Sequence, residues 1–319
     1  IKDYSKVLII HDLAVNSEIV ELIKNIIADH DIIVDTKGVD LSHSPKSFPS
    51  FISMSDYLVL NNYNRDCLLI SLGGGSIGDL VGFLASTYQR GVDYIQIPST
   101  LLSMIDSSIG GKTGVDTKNG KNLIGSFYHP KMVIIDTLLL SSLAKKEFNS
   151  GLFEAIKYAI LFDKELFHLI DSNLDNIFNV DIIDKIIMDC CAIKVRIIKN
   201  DERDLGDRRK LNFGHTIGHA IETQYGFRHG ESVGYGMLCA INISKEVGTL
   251  SDSSFHKIKN LIKRLYLPPL NLDVDLIIKQ LSRDKKIIDG KNQFILLNDI
   301  GNSYISNDID KDVIKNSII

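Results

Sequence analysis

The chain has 319 residues, 44% hydrophobic and 24% charged, a composition that suits a globular protein with room for two domains or one large α/β domain. Its formal net charge of -4 gives no reason to expect nucleic acid as a partner, so any anion site must come from locally placed Lys and Arg. No run approaches the roughly 18 apolar residues of a membrane span, and no charged-then-apolar leader opens the sequence. The expected elements then alternate. Lys6–Ile10 reads as a buried strand, Ser17–Ala28 as an amphipathic helix, Asp31–Val34 as a strand and Ser53–Asn61 as a helix. Cys67–Leu72, Tyr94–Pro98 and Met132–Asp136 read as further strands. Apolar strands alternating with helices predict a mostly parallel sheet covered on both faces. From about Gly151 the pattern turns helical, over Ile182–Ile198, His215–Tyr225 and Val233–Val247. Leu267-Pro268-Pro269 breaks the chain before a last helix and a short tail. The reading is an α/β domain over 1–150 and an all-α domain over 151–319. Cys67, Cys190, Cys191 and Cys239 form no C-x-x-C pair and are expected as reduced residues of a cytoplasmic protein.

Three segments carry chemistry. Gly73-Gly74-Gly75-Ser76-Ile77-Gly78-Asp79 follows a strand and opens a helix, so glycine backbone can approach a phosphate met by unpaired helical N–H groups. It fits G-x-G-x-x-G formally, but the acidic residue that completes a dinucleotide fingerprint is missing from the end of the next strand. Asp106 to Gly114 is a second glycine-rich stretch holding Gly111-Lys112-Thr113. With Lys118, Lys121 and Asn122 it reads as an anion cradle, although a solvated lysine loop is the plainer alternative. A P-loop would need glycine at position 106, so nucleotide triphosphate hydrolysis is not expected.

In the third segment His215 and His219 stand at i and i+4, one helical face, and His229 follows after Tyr225-Gly226-Phe227-Arg228, a turn able to fold it back beside His215. Glu154, three residues before Lys157, offers a carboxylate. Two histidines and one carboxylate with open positions suit a catalytic zinc site, and the residues alone leave open which two histidines serve. Arg208, Arg209, Lys210 and Lys194 lie nearby; they are either solvated or set to hold a substrate carboxylate.

In Gly73–Arg90, Pro98–Asn122, Gly151–Lys157, Asn212–Glu222 and His229–Met237 the chain resembles the 3-dehydroquinate synthase family of sugar-phosphate cyclases, from about Val7 to Gly301. The resemblance implies a lyase of the shikimate pathway, and hence of aromatic amino acid biosynthesis. Its reaction turns 3-deoxy-D-arabino-heptulosonate 7-phosphate into 3-dehydroquinate and phosphate, through transient oxidation by NAD, phosphate elimination, reduction, ring opening and an intramolecular aldol step. It implies Glu154, His215 and His229 as ligands of zinc, with cobalt as the alternative ion. It implies His219, Lys112, Lys157, Asp106 and Asn122 as catalytic residues, and Lys194, Arg208, Asn212, Arg90 and Lys285 as substrate contacts. Arg90 matches an arginine that reaches the phosphate across a dimer interface, and Lys285 falls in Arg283-Asp284-Lys285-Lys286. For NAD it implies Asp12, Lys46, Gly75, Ser76, Ile77, Gly78, Asp79, Ser99, Thr100, Lys112, Lys121, Leu139, Leu140, Ser141 and Ser142. The implied partner is a phosphorylated small molecule bearing a carboxylate, bound by a cytoplasmic homodimer with no membrane or nucleic acid involved.

The chain departs from the family in three places. The family's Glu-x-x-Lys near the adenosine ribose is here His43-Ser44-Pro45-Lys46, Ser99 stands where threonine is usual, and the opening strands have no counterpart, as expected of a fragment or a shortened chain. The alternatives are a cyclase acting on another heptulose phosphate such as sedoheptulose 7-phosphate, a metal-dependent polyol dehydrogenase of the same architecture, and a metal-binding scaffold without activity.

Overall fold

The computed structural model describes residues 3–40, 46–118, 120–281 and 293–318. It divides into two compact units, Ile1–Leu143 and Ala144–Ile319.

The first unit is built on β1 (Lys6–Asp12), α1 (Ser17–Ala28), β2 (Ile33–Val39), α2 (Phe48–Leu60), β3 (Cys67–Gly73), α3 (Gly75–Thr87) and β4 (Asp93–Pro98). The hairpin β5 (Lys112–Thr117) and β6 (Gly120–Phe127) and the short β7 (Met132–Val133) complete it. Five strands form one parallel sheet in the order β2-β1-β3-β4-β7. Val7 to Ile10 and every residue of β3 are buried, the continuous apolar runs of strands covered on both faces. Leu8, Ile10, Leu69, Ile77, Leu80, Val81, Leu84 and Tyr94 form its core.

Local chemistry moves several boundaries from those expected. Helix α2 starts upstream of Ser53, because Ser47 caps it by accepting the Ser50 N–H and Pro49 suits the first turn. Strand β2 runs on to Val39, its polar residues tolerated at the edge of the sheet, in register with all of β1. The expected strand Met132–Asp136 pairs over two residues only. The lysine-bearing loop is a hairpin, with β5 lying against α3. A Cβ on Gly82 would stand 2.5 Å from Thr113 Cγ2, so glycine sets this packing distance.

The second unit comprises α4 (Lys145–Phe162), α5 (Lys164–Asn173), α6 (Val180–Asn200), α7 (His215–Tyr225), α8 (His229–Glu246), α9 (Asp252–Arg264), α10 (Val274–Leu281), the hairpin β8 (Phe294–Asp299) and β9 (Asn302–Ser306), and α11 (Lys311–Ser317). Helices α4 and α8 are buried around most of their circumference, as central helices must be. The sequence reading of a last helix and a short tail is corrected here, since β8, β9 and α11 follow α10. Phe294 to Leu297 are buried in the manner of a sandwiched strand, and β8 is anchored where the Leu297 N–H donates to Ser244 Oγ at 3.1 Å.

Candidate functional site

In the first unit, strand order reverses between β1 and β3, the place where parallel α/β sheets bind ligands outside the carboxyl ends of their strands. Asp12 ends β1 and Gly73 ends β3. Helix α3 begins there with Gly74 at its N-cap and no side chain capping it. The Gly78 N–H already donates to Gly74 O, which leaves the amides of Gly75, Ser76 and Ile77 as the first-turn donors for an anion. Gly75 keeps this mouth open, since a Cβ would lie 2.6 Å from Ser107 Oγ. Gly78 instead packs the helix on the sheet, since a Cβ there would press on Gln96 Oε1 at 2.9 Å. The Ile77 side chain is buried, so only its backbone can serve a ligand. Ser99 and Thr100 follow β4, with the Ser99 N–H donating to Gly73 O at 2.9 Å and a Cβ on Gly74 facing Thr100 Cγ2 at 3.3 Å.

Lys46, Asp79 and Asn122 come together: Lys46 Nζ meets Asp79 Oδ2 at 2.5 Å and also contacts Asn122 Oδ1. Asn122 sits at φ +56°, its N–H held by Asp116 Oδ1 at 2.8 Å. Lys112, at the start of β5, and Lys121, on β6, are exposed, whereas Asp106 is half-buried on the single π-helical turn Ser103–Ser107. Arg90 is exposed with φ +66°. Leu139 and Leu140 are buried and Ser141 and Ser142 exposed on the 3₁₀ turn Thr137–Ser142. His43, Ser44, Pro45 and the run Arg283–Lys286, with Lys285, lie outside the described residues.

The second unit converges on Glu154. Helix α7 starts after Gly214, at φ +74°, and displays His215 and His219 on one face. Gly226, at φ +65°, ends that helix in the left-handed conformation and lets the chain turn back, so that His229 becomes the first residue of α8. Gly230 permits the next approach: a Cβ there would lie 2.3 Å from Ser150 O, one helical turn before Glu154 on α4. As a result one ligand atom each from Glu154, His215 and His229 lies within 4.8 Å of the others. His229 Nε2 is 3.3 Å and His215 Nε2 3.7 Å from Glu154 Oε1. Each ring is held from its other nitrogen: His215 Nδ1 lies 3.0 Å from Phe213 O and His229 Nδ1 3.3 Å from Glu222 Oε2. A ring gripped at Nδ1 presents Nε2 to a cation in a fixed direction.

Electrostatics fit the same reading. Glu154 is fully buried, its Oε2 in ion-pair contact with Lys157 and its Oε1 facing the Nε2 atoms of His229 and His215. A buried carboxylate must be paired, and an Oε1 shared with two imidazoles leaves a donor set that a metal cation can complete. Burial pushes its pKa up, but Lys157, in ion-pair contact, and the two histidines outweigh this and bring it down to about 2. Burial, then Lys157, drive His215 well below the ordinary histidine value, so its ring is neutral and its lone pair available. Burial also works against protonated His229, yet hydrogen bonds to Glu154 and Glu222 prevail and raise it to about 9. The donor set, two imidazoles and a carboxylate, suits zinc or cobalt.

Lys194, on α6, and Arg208, on the 3₁₀ turn Asp207–Asn212, are both buried cations. Asp201 shapes the loop before Arg208 by accepting the N–H groups of Leu205, Gly206 and Arg208 at 2.7–3.0 Å. Asn212 Nδ2 donates to Arg209 O at 3.0 Å. His219 is half-buried, its ring centroid 5.2 Å from that of His215. Sequence reasoning missed Gln96, Ser107, Asp116 and Glu222. Only Gln96, a lone polar residue inside an apolar strand, carries a signal of its own.

Fold and sites define a class: a nucleotide-binding α/β unit followed in the chain by a helical metal-binding unit. Family models for the N-terminal and C-terminal parts of 3-dehydroquinate synthase match residues 38–150 and 151–287. The chain belongs to the 3-dehydroquinate synthase family. It is 43% identical to the 3-dehydroquinate synthase of Vibrio atlanticus (strain LGP32) over 281 residues, 86% of this chain and 78% of that protein. It is 42% identical to that of Haemophilus ducreyi (strain 35000HP / ATCC 700724), with the same coverage. Among solved structures it is similar to the 2-epi-5-epi-valiolone synthase of Streptomyces hygroscopicus subsp. jinggangensis 5008 with NAD+ and Zn2+ bound. That match has a TM-score of 0.91 at 26% identity and covers 98% of this chain and 90% of the other.

Proposed function

We propose that this chain converts 3-deoxy-D-arabino-heptulosonate 7-phosphate to 3-dehydroquinate and phosphate, as an NAD- and divalent-metal-dependent carbon–oxygen lyase of the shikimate pathway. The observation that carries this reading is the buried Glu154, His215 and His229 set in a chain of this family. Bound there, zinc or cobalt supplies polarisation of a substrate hydroxyl and stabilisation of negative charge on its oxygen. The first-turn amides of α3 would hold the pyrophosphate of NAD, which would supply reversible oxidation.

The protein's own residues do the rest. Lys157 holds a positive charge beside Glu154 and favours anionic oxygen in the pocket. Arg208, with its planar fork of donors, and Lys194 bind the substrate carboxylate, and burial of both makes an anionic partner worthwhile. Asn212, Arg90 and Lys285 serve the same substrate. His219 moves a proton at its ring on the phosphate side, and Lys112, Asp106 and Asn122 complete the catalytic set. Asp12, Lys46, Asp79, Ser99, Thr100, Lys121 and the residues Leu139–Ser142 line the NAD site. The working form is a cytoplasmic homodimer: four free cysteines suit a reducing compartment, and no helix among the described residues is long and apolar enough to cross a membrane. Leu123 and Phe127 stand exposed on one side of β6 and Ile124 on the other, apolar surface that a second copy would cover.

Incubation with the heptulosonate phosphate, zinc and NAD, following phosphate release and product absorbance, tests the reading. Phosphate and 3-dehydroquinate should form in equal amounts, many times over per NAD. Net accumulation of NADH, or equal turnover of sedoheptulose 7-phosphate, which lacks the carboxylate, would contradict it.

A further inference from the structure

Helix α7 presents more than its two histidines. Glu222 lies seven residues after His215 and three after His219, two turns along the same face. The turn through Gly226 brings the first residue of α8 back over that face, and Glu222 Oε2 meets His229 Nδ1 at 3.3 Å. The opposite nitrogen of the same ring faces Glu154 Oε1, also at 3.3 Å. His229 therefore bridges two carboxylates, one fully buried among the ligand atoms and one half-buried behind the ring.

We propose that Glu222 is a positioning residue: its carboxylate holds the Nδ1–H of His229, fixing the ring's tautomer and rotation so that Nε2 points at the cation. The inference rests on the metal reading above. His215 shows the same device with a backbone oxygen, since Phe213 O faces its Nδ1. The two rings differ in what the grip allows. The oxygen behind His215 belongs to the main chain and cannot be mutated away, whereas the one behind His229 can.

A rival role exists, because His219, Glu222 and His229 also bring ligand atoms within 4.8 Å of one another. Positioning is favoured by the nitrogens themselves. A ring that gives Nε2 to the inner set presents Nδ1–H outward, and a carboxylate there accepts a hydrogen bond from it. The inner set also has the deeper need, holding a fully buried carboxylate.

The test uses the full chain stripped of metal and titrated with Co2+ or Zn2+ alone. Glu222→Ala should weaken binding of either ion on the order of 10- to 100-fold. It should also alter the visible absorption of the cobalt form, which a purely structural role would leave untouched. Glu222→Gln keeps the shape and an acceptor oxygen, so it should restore part of the affinity; it is read alone if the alanine variant does not fold. Parental affinity and spectrum in every folded Glu222 variant overturns the proposal. So does a parent that binds two cobalt ions per chain and falls to one in Glu222→Ala, since Glu222 would then be a ligand. His229→Ala runs alongside as the control. Unchanged affinity there sinks the metal reading itself, while lost affinity there with parental Glu222 variants sinks the positioning role alone.

Discussion

Gly230→Ala sets two effects of opposite sign against each other. Alanine is preferred to glycine in a helix by about 1 kcal/mol, so propensity alone says that α8 should gain. Packing says otherwise, because the added Cβ would stand 2.3 Å from Ser150 O and 2.5 Å from Ser150 Cα. Carbon atoms in contact sit about 3.5 Å apart. The obstacle is main chain in mid-helix, which cannot swing aside as a side-chain tip would. Helices α4 and α8 must therefore part by about 1 Å, at an overpacking cost of about 1–3 kcal/mol that cancels or exceeds the propensity gain. The site suffers more than the fold. Ser150 lies one turn before Glu154 and Gly230 directly after His229, so the opening pulls two of the proposed ligands apart. Metal sites tolerate about 0.2 Å in ligand distance. The expected outcome is a variant that folds with a lower melting temperature and loses most of its zinc on gel filtration in a weak chelator. A variant that melts at or above the parent temperature and keeps its zinc would refute the packing argument.

The remaining predictions concern charge. In the metal-free chain His229 titrates at about 9, so it carries a proton at neutral pH that a cation must displace. Zinc affinity should therefore rise by up to about tenfold per pH unit and flatten above that value, and a chelator-competition titration giving a flat profile below pH 9 would count against the ligand role of His229. Arg208→Ala should abolish most turnover while zinc content stays parental, since its partner anion would lose its donors. Steady-state kinetics unchanged by that substitution would remove the case for a carboxylate-bearing substrate.

Much of this was legible in the residues, for physical reasons that can be named. The buried parallel strands announce themselves as short apolar runs, and the glycine run after β3 as a strand-to-helix turn. The i, i+4 histidines need only the helical period. What the sequence concealed depends on chain reversals. The β5–β6 hairpin was hidden by its glycines and lysines, although Asn119-Gly120 between two runs is a hairpin signal that could have been weighed. The β8–β9 hairpin sits in a segment read as tail because its apolar run is short. Glu222 is the clearest case. On a helical wheel it is one more polar position, and only the turn at Gly226 decides that it faces an imidazole. Glu154 was open to view as a carboxylate beside Lys157, but only the close approach at Gly230 explains how it comes to face the histidines.

Of the sheet's two margins, the one at β7 is closed to further pairing. The backbone N–H groups of Lys131 and Ile134 occupy the carbonyls of Tyr94 and Gln96, while β7 itself spans two residues. Pro130 precedes this stretch and Asp136 follows, so the strand on this side offers too few unsatisfied amides in line for a sister chain to zip onto. A parallel sheet is thereby ended cheaply, by brevity and a proline, at a border where a longer apolar ribbon would invite fibrillar stacking.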